Sequence, residues 1–428
     1  MHSRKIIGII CGSLILLILG LLFVNWIFIL FIVPLILYLF IAYISFNEEE
    51  LKIKVKRSVS REKVYENDKI DIKIDIENKG KSVSYLEIYD NLPKKVEVIK
   101  GSNYAVLSLK KNEKISLEYT ILCKIRGFYP VGPIKLRTKD FFEIFYKDQI
   151  IDSTKHIMTL PYLEEIRNIP LRARANLFPG AIHARQAGIG TEFYGLRRYL
   201  PGDSFKHINW KSLARFNNLM VNEFSLESTT DIIIILDSRE IESMGTLRNN
   251  PLEYSIKAAG SLASFFLNRR DRVGLISYGK TEKNITWVYP ESGKKQLYKI
   301  IENLVQIEAY GSYSFISLID QAFSRMIPKK SLIFFISSLQ NDQTISEGLE
   351  KLNRLGFNTI VLSPSSIDIE KFNQELDQID DISYKILGFE RRNNISRLRN
   401  SGAIVIDWNP KIPLVSQLEE VAQYQLTR

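Results

Sequence analysis

The sequence predicts a chain of class α/β + β in three folded parts. These are an N-terminal transmembrane helical hairpin, an antiparallel β-sandwich and a C-terminal doubly wound α/β domain. Three observations carry this. Residues 6–46 hold no Asp, Glu, Lys or Arg. Residues 51–158 alternate apolar and polar side chains on a two-residue period. From residue 231, short continuous apolar runs alternate with stretches of helical periodicity. The boundaries fall at 1–47, 48–160, 161–228 (a basic connector) and 229–428.

The apolar run from Ile6 to Phe46 is long enough for two spans of about 20 residues each. Asn25-Trp26 marks the break, a polar residue beside a ring that favours the interface. Helices are predicted near 6–24 and 27–45, with Pro34 inside the second. A cleavable signal sequence would end at small residues, and no such site follows the first run. Arg4 and Lys5 precede the hairpin, and Lys52, Lys54, Lys56 and Arg57 follow it. The turn carries no basic residue. Both ends therefore read as cytoplasmic, which places a multi-pass protein in the cell membrane with its soluble domains inside.

In the next part, "KIDIKIDIEN" sets Ile70, Ile72, Ile74 and Ile76 on one face and charges on the other. "VSYLEIYD", "KISLEYTILCKI" and "GPIKLRTKD" repeat the pattern between turn signals, as in a sandwich of short strands. No nucleophile–base pair stands out there.

Composition narrows the chemistry. The chain has 428 residues, two cysteines, four histidines and a net charge of +10. Two cysteines build neither a disulfide scaffold nor a Cys-based zinc site. The histidines lack ligand spacing, so neither metal nor cofactor is expected. Much of the positive charge lies in 166–222, with nine basic residues against Glu192 and Asp203. A basic stretch interleaved with Tyr199 and Trp210 suits internal pairing, an acidic or phosphate-bearing partner, or nucleic acid. Internal pairing is favoured, and nucleic acid is not expected. Asp203, His207 and Ser204 or Ser212 fit no nucleophile elbow, so no catalytic residue is assigned. Asp203 reads as a turn residue after Pro201-Gly202, or as a partner for Arg197 or Arg215. Tyr199 and Trp210 are expected to pack on the α/β domain.

In that domain "DIIIILD", "RVGLISYG", "NITWVYP", "SLIFFISS", "NTIVLS" and "AIVIDW" are the strands. Neither GxGxxG nor GxxxxGK[ST] appears, which disfavours nucleotides. The functional crevice of such sheets lies beyond the strands' carboxyl ends. Asp237 is the acid there, alone or with Glu240, and Arg239 stands where it would oppose a metal ion.

"GTEFYGLRRYLPGDSFKHINWKSLARFNNLMVNEF" (190–224) closely resembles the signature of the bacterial domain-of-unknown-function 58 family. The matching positions are Gly190, Glu192, Arg197, Tyr199, Pro201-Gly202-Asp203, Ile208, Trp210, Lys211, Ala214-Arg215 and Glu223. "RGFYPVGP" (126–133) is similar to another family feature. The resemblance implies a von Willebrand factor A-like (Rossmann-type) C-terminal domain and partnership with MoxR-type AAA+ ATPases. It implies a membrane-anchored, non-enzymatic adaptor or co-chaperone without a small-molecule substrate. Glu192, Arg197, Tyr199, Asp203, Trp210, Lys211 and Arg215 would be its contact residues. The alternative is a membrane-tethered binder of anionic ligands (acidic protein, lipid headgroups or nucleic acid) through the basic connector. The wider fold's metal-ion-dependent adhesion site reads Asp-x-Ser-x-Ser, a middle-loop Thr and a later Asp. Here the positions are Asp237, Arg239, Ile241, Ser314 (or Ser312) and Ser338, a degenerate set from which no metal site is transferred.

Overall fold

The computed structural model describes residues 4–45, 51–139, 143–166, 187–188, 192–216, 218–225, 231–279, 281, 284–322, 327–328, 331–340, 342–371, 378–400 and 402–419. The chain divides into two compact units, Met1–Leu160 and Pro161–Arg428.

The apolar run forms α1 (Arg4–Leu22), α2 (Trp26–Leu30) and α3 (Ile32–Ser45). Val24 turns the chain with a φ of 48°, and the Asn25 side chain accepts the Ile27 N–H at 3.0 Å to start α2. The second predicted helix is interrupted at Phe31. Pro34 offers no N–H to the Leu30 carbonyl, and its ring crowds that carbonyl. Lys5–Leu22 and Trp26–Ile44 are each long and apolar enough to cross a membrane, with 6% and 11% of their residues buried.

The alternating stretch forms three sheets. One runs β1 (Ile53–Val59), β3 (Lys69–Asn78), β7 (Lys114–Cys123), β5 (Val96–Gly101). A second runs β10 (Tyr146–Ile151), β9 (Ile134–Lys139), β4 (Val83–Asp90), β6 (Tyr104–Leu109). A third joins β2 (Lys63–Tyr65), β11 (Lys155–Leu160) and β8 (Gly127–Val131). Ile70, Ile72, Ile74 and Ile76 are all buried, against Leu86, Ile88 and Leu136 among others.

An ion pair lies inside this core. The Arg57 guanidinium bonds Asp90 Oδ1, the Ser153 carbonyl and the Val131 carbonyl at 2.5 Å. Tyr119 donates its hydroxyl to Asp90 Oδ2 at 2.6 Å. Burial pushes the Asp90 carboxyl above its ordinary pKa, against the pull of Tyr119 and Arg57. The "RGFYPVGP" segment supplies the pair's surroundings. Gly132 has a φ of +118°, and a Cβ there would stand 2.6 Å from Arg57 Nη1, so glycine alone fits.

The second unit contains a small antiparallel sheet ordered β12 (Ala187–Gly188), β14 (Met220–Ser225), β13 (Glu192–Arg198). The described part of the predicted connector is therefore a folded module.

The main sheet is ordered β17 (Thr286–Glu291), β16 (Arg272–Tyr278), β15 (Asp231–Asp237), β18 (Leu332–Ile336), β19 (Asn358–Pro364), β20 (Ile404–Trp408). Five strands are parallel and β17 is antiparallel. In chain order this reads 3-2-1-4-5-6, so the order reverses between β15 and β18. Both faces are covered, as the unbroken apolar strands require. Ile232, Ile234 and Leu236 pack with the helix Pro251–Asn268 on one side. Ile233 and Ile235 pack with Phe315 and Leu349 on the other. Asn250 caps the first of these helices, accepting the Glu253 N–H at 2.9 Å.

Candidate functional site: a closed crevice and an open tip

The strand reversal puts the ends of β15 and β18 side by side, and the sequence there is Asp-Ser-Arg-Glu-Ile-Glu on one side and Ser-Ser on the other. Asp237 ends β15 completely buried. Arg239 folds back over it. Its Nη2 bonds Asp237 Oδ2 at 2.7 Å, its Nε bonds Oδ1 at 3.0 Å, and its backbone N–H bonds Oδ1 at 3.1 Å. Its Nη1 bonds Asp342 from beyond β18. Burial works against this charge, yet the bonds to Asp237 hold the Arg239 pKa above its ordinary value. Asp342 falls below its usual range, because the bonds from Arg239 and Thr344 outweigh burial. The guanidinium also lies 5.7 Å from the centre of the buried Tyr278 ring.

The second acid of the crevice is Glu242, not Glu240. The 3-10 turn Glu240–Ser243 leaves Glu240 exposed and turns Glu242 inward to full burial. The Ser338 hydroxyl donates to Glu242 Oε1 at 2.8 Å, and the Ser338 N–H does so at 3.0 Å. The Ser337 hydroxyl lies 2.9 Å from Asp237 Oδ2 and 3.1 Å from Glu242 Oε1, bridging the two acids. Burial, with the nearby Asp237 charge, raises the Glu242 pKa to about 8.

This network decides how the positions of a divalent-ion site are used. Asp237 is covered by Arg239 and Ser337, and Ser338 serves Glu242. Ser314 caps the helix Phe315–Ala322, its hydroxyl 3.3 Å from the Ser317 N–H, and Ser312 is exposed. Ile241 is exposed on the 3-10 turn. A hard cation needs several oxygens free to converge on it, and Asp237, Ser314 and Ser338 are engaged elsewhere. The residues do not fit such an ion. Among the described residues, no group of three or more His, Cys, Asp or Glu is arranged to hold a metal. Both ends of the Arg239 guanidinium are held internally, by Asp237 and Asp342.

Beyond the closed centre lies a cleft of about 420 Å³, lined in part by Met244, Ser338, Leu339, Ile367, Leu387 and Arg391. Arg391 ties three strand ends together, bonding the Ser338 carbonyl at 2.7 Å, the Ser363 hydroxyl at 2.9 Å and Asp407 at 2.7 Å. Periodicity revealed neither this role nor those of Glu242, Ser337 and Asp342. The only signal was polar residues just past apolar strands.

The signature residues gather elsewhere. Glu192 opens β13, and Gly190 lies outside the described residues. Arg197 grips Asp203 with two bonds, 2.7 Å and 2.6 Å. Asp203 also accepts the Leu200 N–H at 2.8 Å. Arg197, with Leu200, draws the Asp203 carboxyl down to about 2. Of its two expected partners Asp203 takes Arg197, and its carboxylate works as the clamp of a turn. The Tyr199 ring stacks on Phe205 with centroids 6.3 Å apart. Asn209 starts the helix Trp210–Phe216, accepting the Ser212 N–H at 2.9 Å, and reaches Asn222 of β14 at 2.8 Å. Lys211 and Arg215 are exposed on that helix. Trp210 is 63% exposed, which corrects the expectation that it packs on the sheet. It is the first residue of a seven-residue helix whose inward positions are taken by Ser212 and Leu213.

The chain is 21% identical over 270 residues to the uncharacterized protein YeaD of Bacillus subtilis (strain 168), over 61% of this chain and 64% of that protein. It thus spans a little under two thirds of that relative. Similar solved structures include the von Willebrand factor domain of a type V pili tip protein from Porphyromonas gingivalis. It has a TM-score of 0.30 and 8% identity, over 47% of this chain and 97% of that one. A proximal thread matrix protein from the mussel byssus has a TM-score of 0.30 and 11% identity, over 45% of this chain and 46% of that one. A CARDB domain from Pyrococcus furiosus has a TM-score of 0.20 and 12% identity, over 27% of this chain and 100% of that one. Residues 195–364, from the signature module through β19, match the family model described as "Protein of unknown function DUF58", so this part of the chain is a DUF58-like domain.

Proposed function

We propose that the chain is a membrane-anchored, non-enzymatic adaptor that engages a cytoplasmic AAA+ ATPase of the MoxR type. The observation that carries the interaction role is the filled crevice. Where related folds hold a ligand-bridging cation, this chain has Arg239 bound to Asp237 and Asp342. Nothing there is poised for nucleophilic or metal chemistry, while an open cleft and an exposed signature module remain for contact.

The anchor reading rests on two apolar helices that bury almost none of their residues, unlike core helices. The ATPase class rests on the resemblance of residues 190–224 to the domain-of-unknown-function 58 signature, which implies such a partner. The test is co-purification of full-length protein in detergent with a MoxR-type ATPase from the same cells, followed by ATPase assay. The reading expects a stable complex, formed equally with and without magnesium chelation in the absence of nucleotide, and a changed hydrolysis rate. No complex, and no effect on hydrolysis, would overturn it.

A further inference from the structure

The connection between β13 and β14, residues 199–219, forms a tip closed at its base. Tyr199 donates its N–H to Leu219 at 3.0 Å, and Asn209 donates its N–H to Met220 at 2.9 Å. What this tip exposes is unusual for a soluble surface. Phe205 is 71% exposed, and Trp210 and Leu200 nearly as much. A buried interior would have taken these side chains, because exposed rings on this scale forgo the hydrophobic gain.

Their placement follows a pattern. Along β13 and its continuation, Leu196, Arg198 and Leu200 face outward on the two-residue period. On the helix Trp210–Phe216, the exposed residues are Trp210, Lys211, Ala214 and Arg215, spaced as one helical face. Rings and cations thus share the surface. The one acid of the tip, Asp203, is spent on Arg197. Among the described residues, Arg198, Lys206, Lys211 and Arg215 carry no ion pair.

Exposed Trp and Phe set among unpaired Lys and Arg match the boundary of an anionic bilayer. There the rings reach the headgroup level and the cations meet lipid phosphate. An acidic protein would satisfy the cations, but the chain brings its own nearest anionic surface. On the anchored reading, the two apolar helices at its N-terminal end, each long enough to cross a membrane, hold it there. We propose that the tip of the signature module, through Phe205, Trp210, Lys206, Lys211 and Arg215, docks on the anionic lipid surface of the membrane that anchors the chain. This deepens the anchored-adaptor reading and rests on its membrane anchor.

The experiment uses full-length protein reconstituted into phosphatidylcholine vesicles with or without phosphatidylglycerol, each carrying brominated acyl chains. Subtracting the emission of a Trp210→Phe variant isolates Trp210. Flotation after alkaline carbonate reports the anchor separately. The proposal expects most Trp210 emission to be lost in phosphatidylglycerol vesicles and little in phosphatidylcholine alone. Raised salt, or a triple Lys206→Glu, Lys211→Glu, Arg215→Glu variant, should restore it while flotation persists. Protein that floats with Trp210 unquenched in both lipids would overturn the docking and leave the anchor standing, assigning the tip to a protein. Protein stripped by carbonate would overturn the anchor and, with it, this inference.

Discussion

Two buried arginines in this chain solve different problems. In the core of the first unit, Arg57 meets one carboxylate, Asp90, and Tyr119 and two carbonyls take the remaining bonds. The charges balance. At the edge of the α/β sheet, Arg239 meets Asp237 and Asp342, and Glu242 stands beside them. Two carboxylates meet one guanidinium, and a third carboxyl, Glu242, is linked to Asp237 through the Ser337 hydroxyl. A low-dielectric interior tolerates balanced pairs but not a surplus, so burial and the Asp237 charge raise the pKa of the extra carboxyl. The first cluster is a fixed strut. The second is set by proton concentration.

The sharpest way to break this contrast is to remove the cations. Arg57→Ala leaves Asp90 in a sealed core with its charge partner gone and only the Tyr119 hydroxyl still bonded to it, and should cost about 3–5 kcal/mol. Denaturation of full-length protein in detergent, with the unfolding of each unit followed separately, measures it. Arg239→Ala should cost the second unit about 3 kcal/mol, the low end of that range. Ser337 still donates to Asp237, and Asp342 is partly open to solvent. A loss well above that of Arg57→Ala would reverse the comparison.

Proton dependence is the next test. The Glu242 pKa is about 8 when folded and near 4.3 when unfolded. The folded state therefore binds the extra proton between these values, and stability falls as pH rises through that window. The expected slope is about 1.4 kcal/mol per pH unit at most. Below the window both states hold the proton, and above it neither does. Glu242→Gln should flatten the slope while keeping the bonds from Ser338. A slope unchanged in that variant would place the surplus proton elsewhere. The smallest effect belongs to the tip, where Trp210→Ala should alter stability by less than about 0.5 kcal/mol. A fall of several kcal/mol would mean the ring is covered.

The strands of both units were legible in the sequence because alternation and unbroken apolar runs report burial directly. Ile70 to Ile76 are the clearest case. Asp237 was legible as a strand-end acid. Glu242 was not, because its burial depends on Ser338, 96 positions away, closing over a 3-10 turn. Asp342 was hidden for the same reason, pairing with Arg239 across 103 positions. Trp210 was misread because ring size suggests burial, whereas a short helix with a small inward face leaves its first residue outside. The clamp between Arg197 and Asp203 is local, and local pairs can be read from spacing.

That clamp has a bearing on how such a tip diversifies. Arg197 and Asp203 close one side of the loop, and Asn209 with Asn222 closes the other. Neither pair uses the outward side chains for support. The residues between and beyond them can therefore be expected to act as a cassette, replaceable without disturbing the two strands that present it. Grafting the outward residues of another such chain onto these anchors would transplant its surface preference and keep this framework.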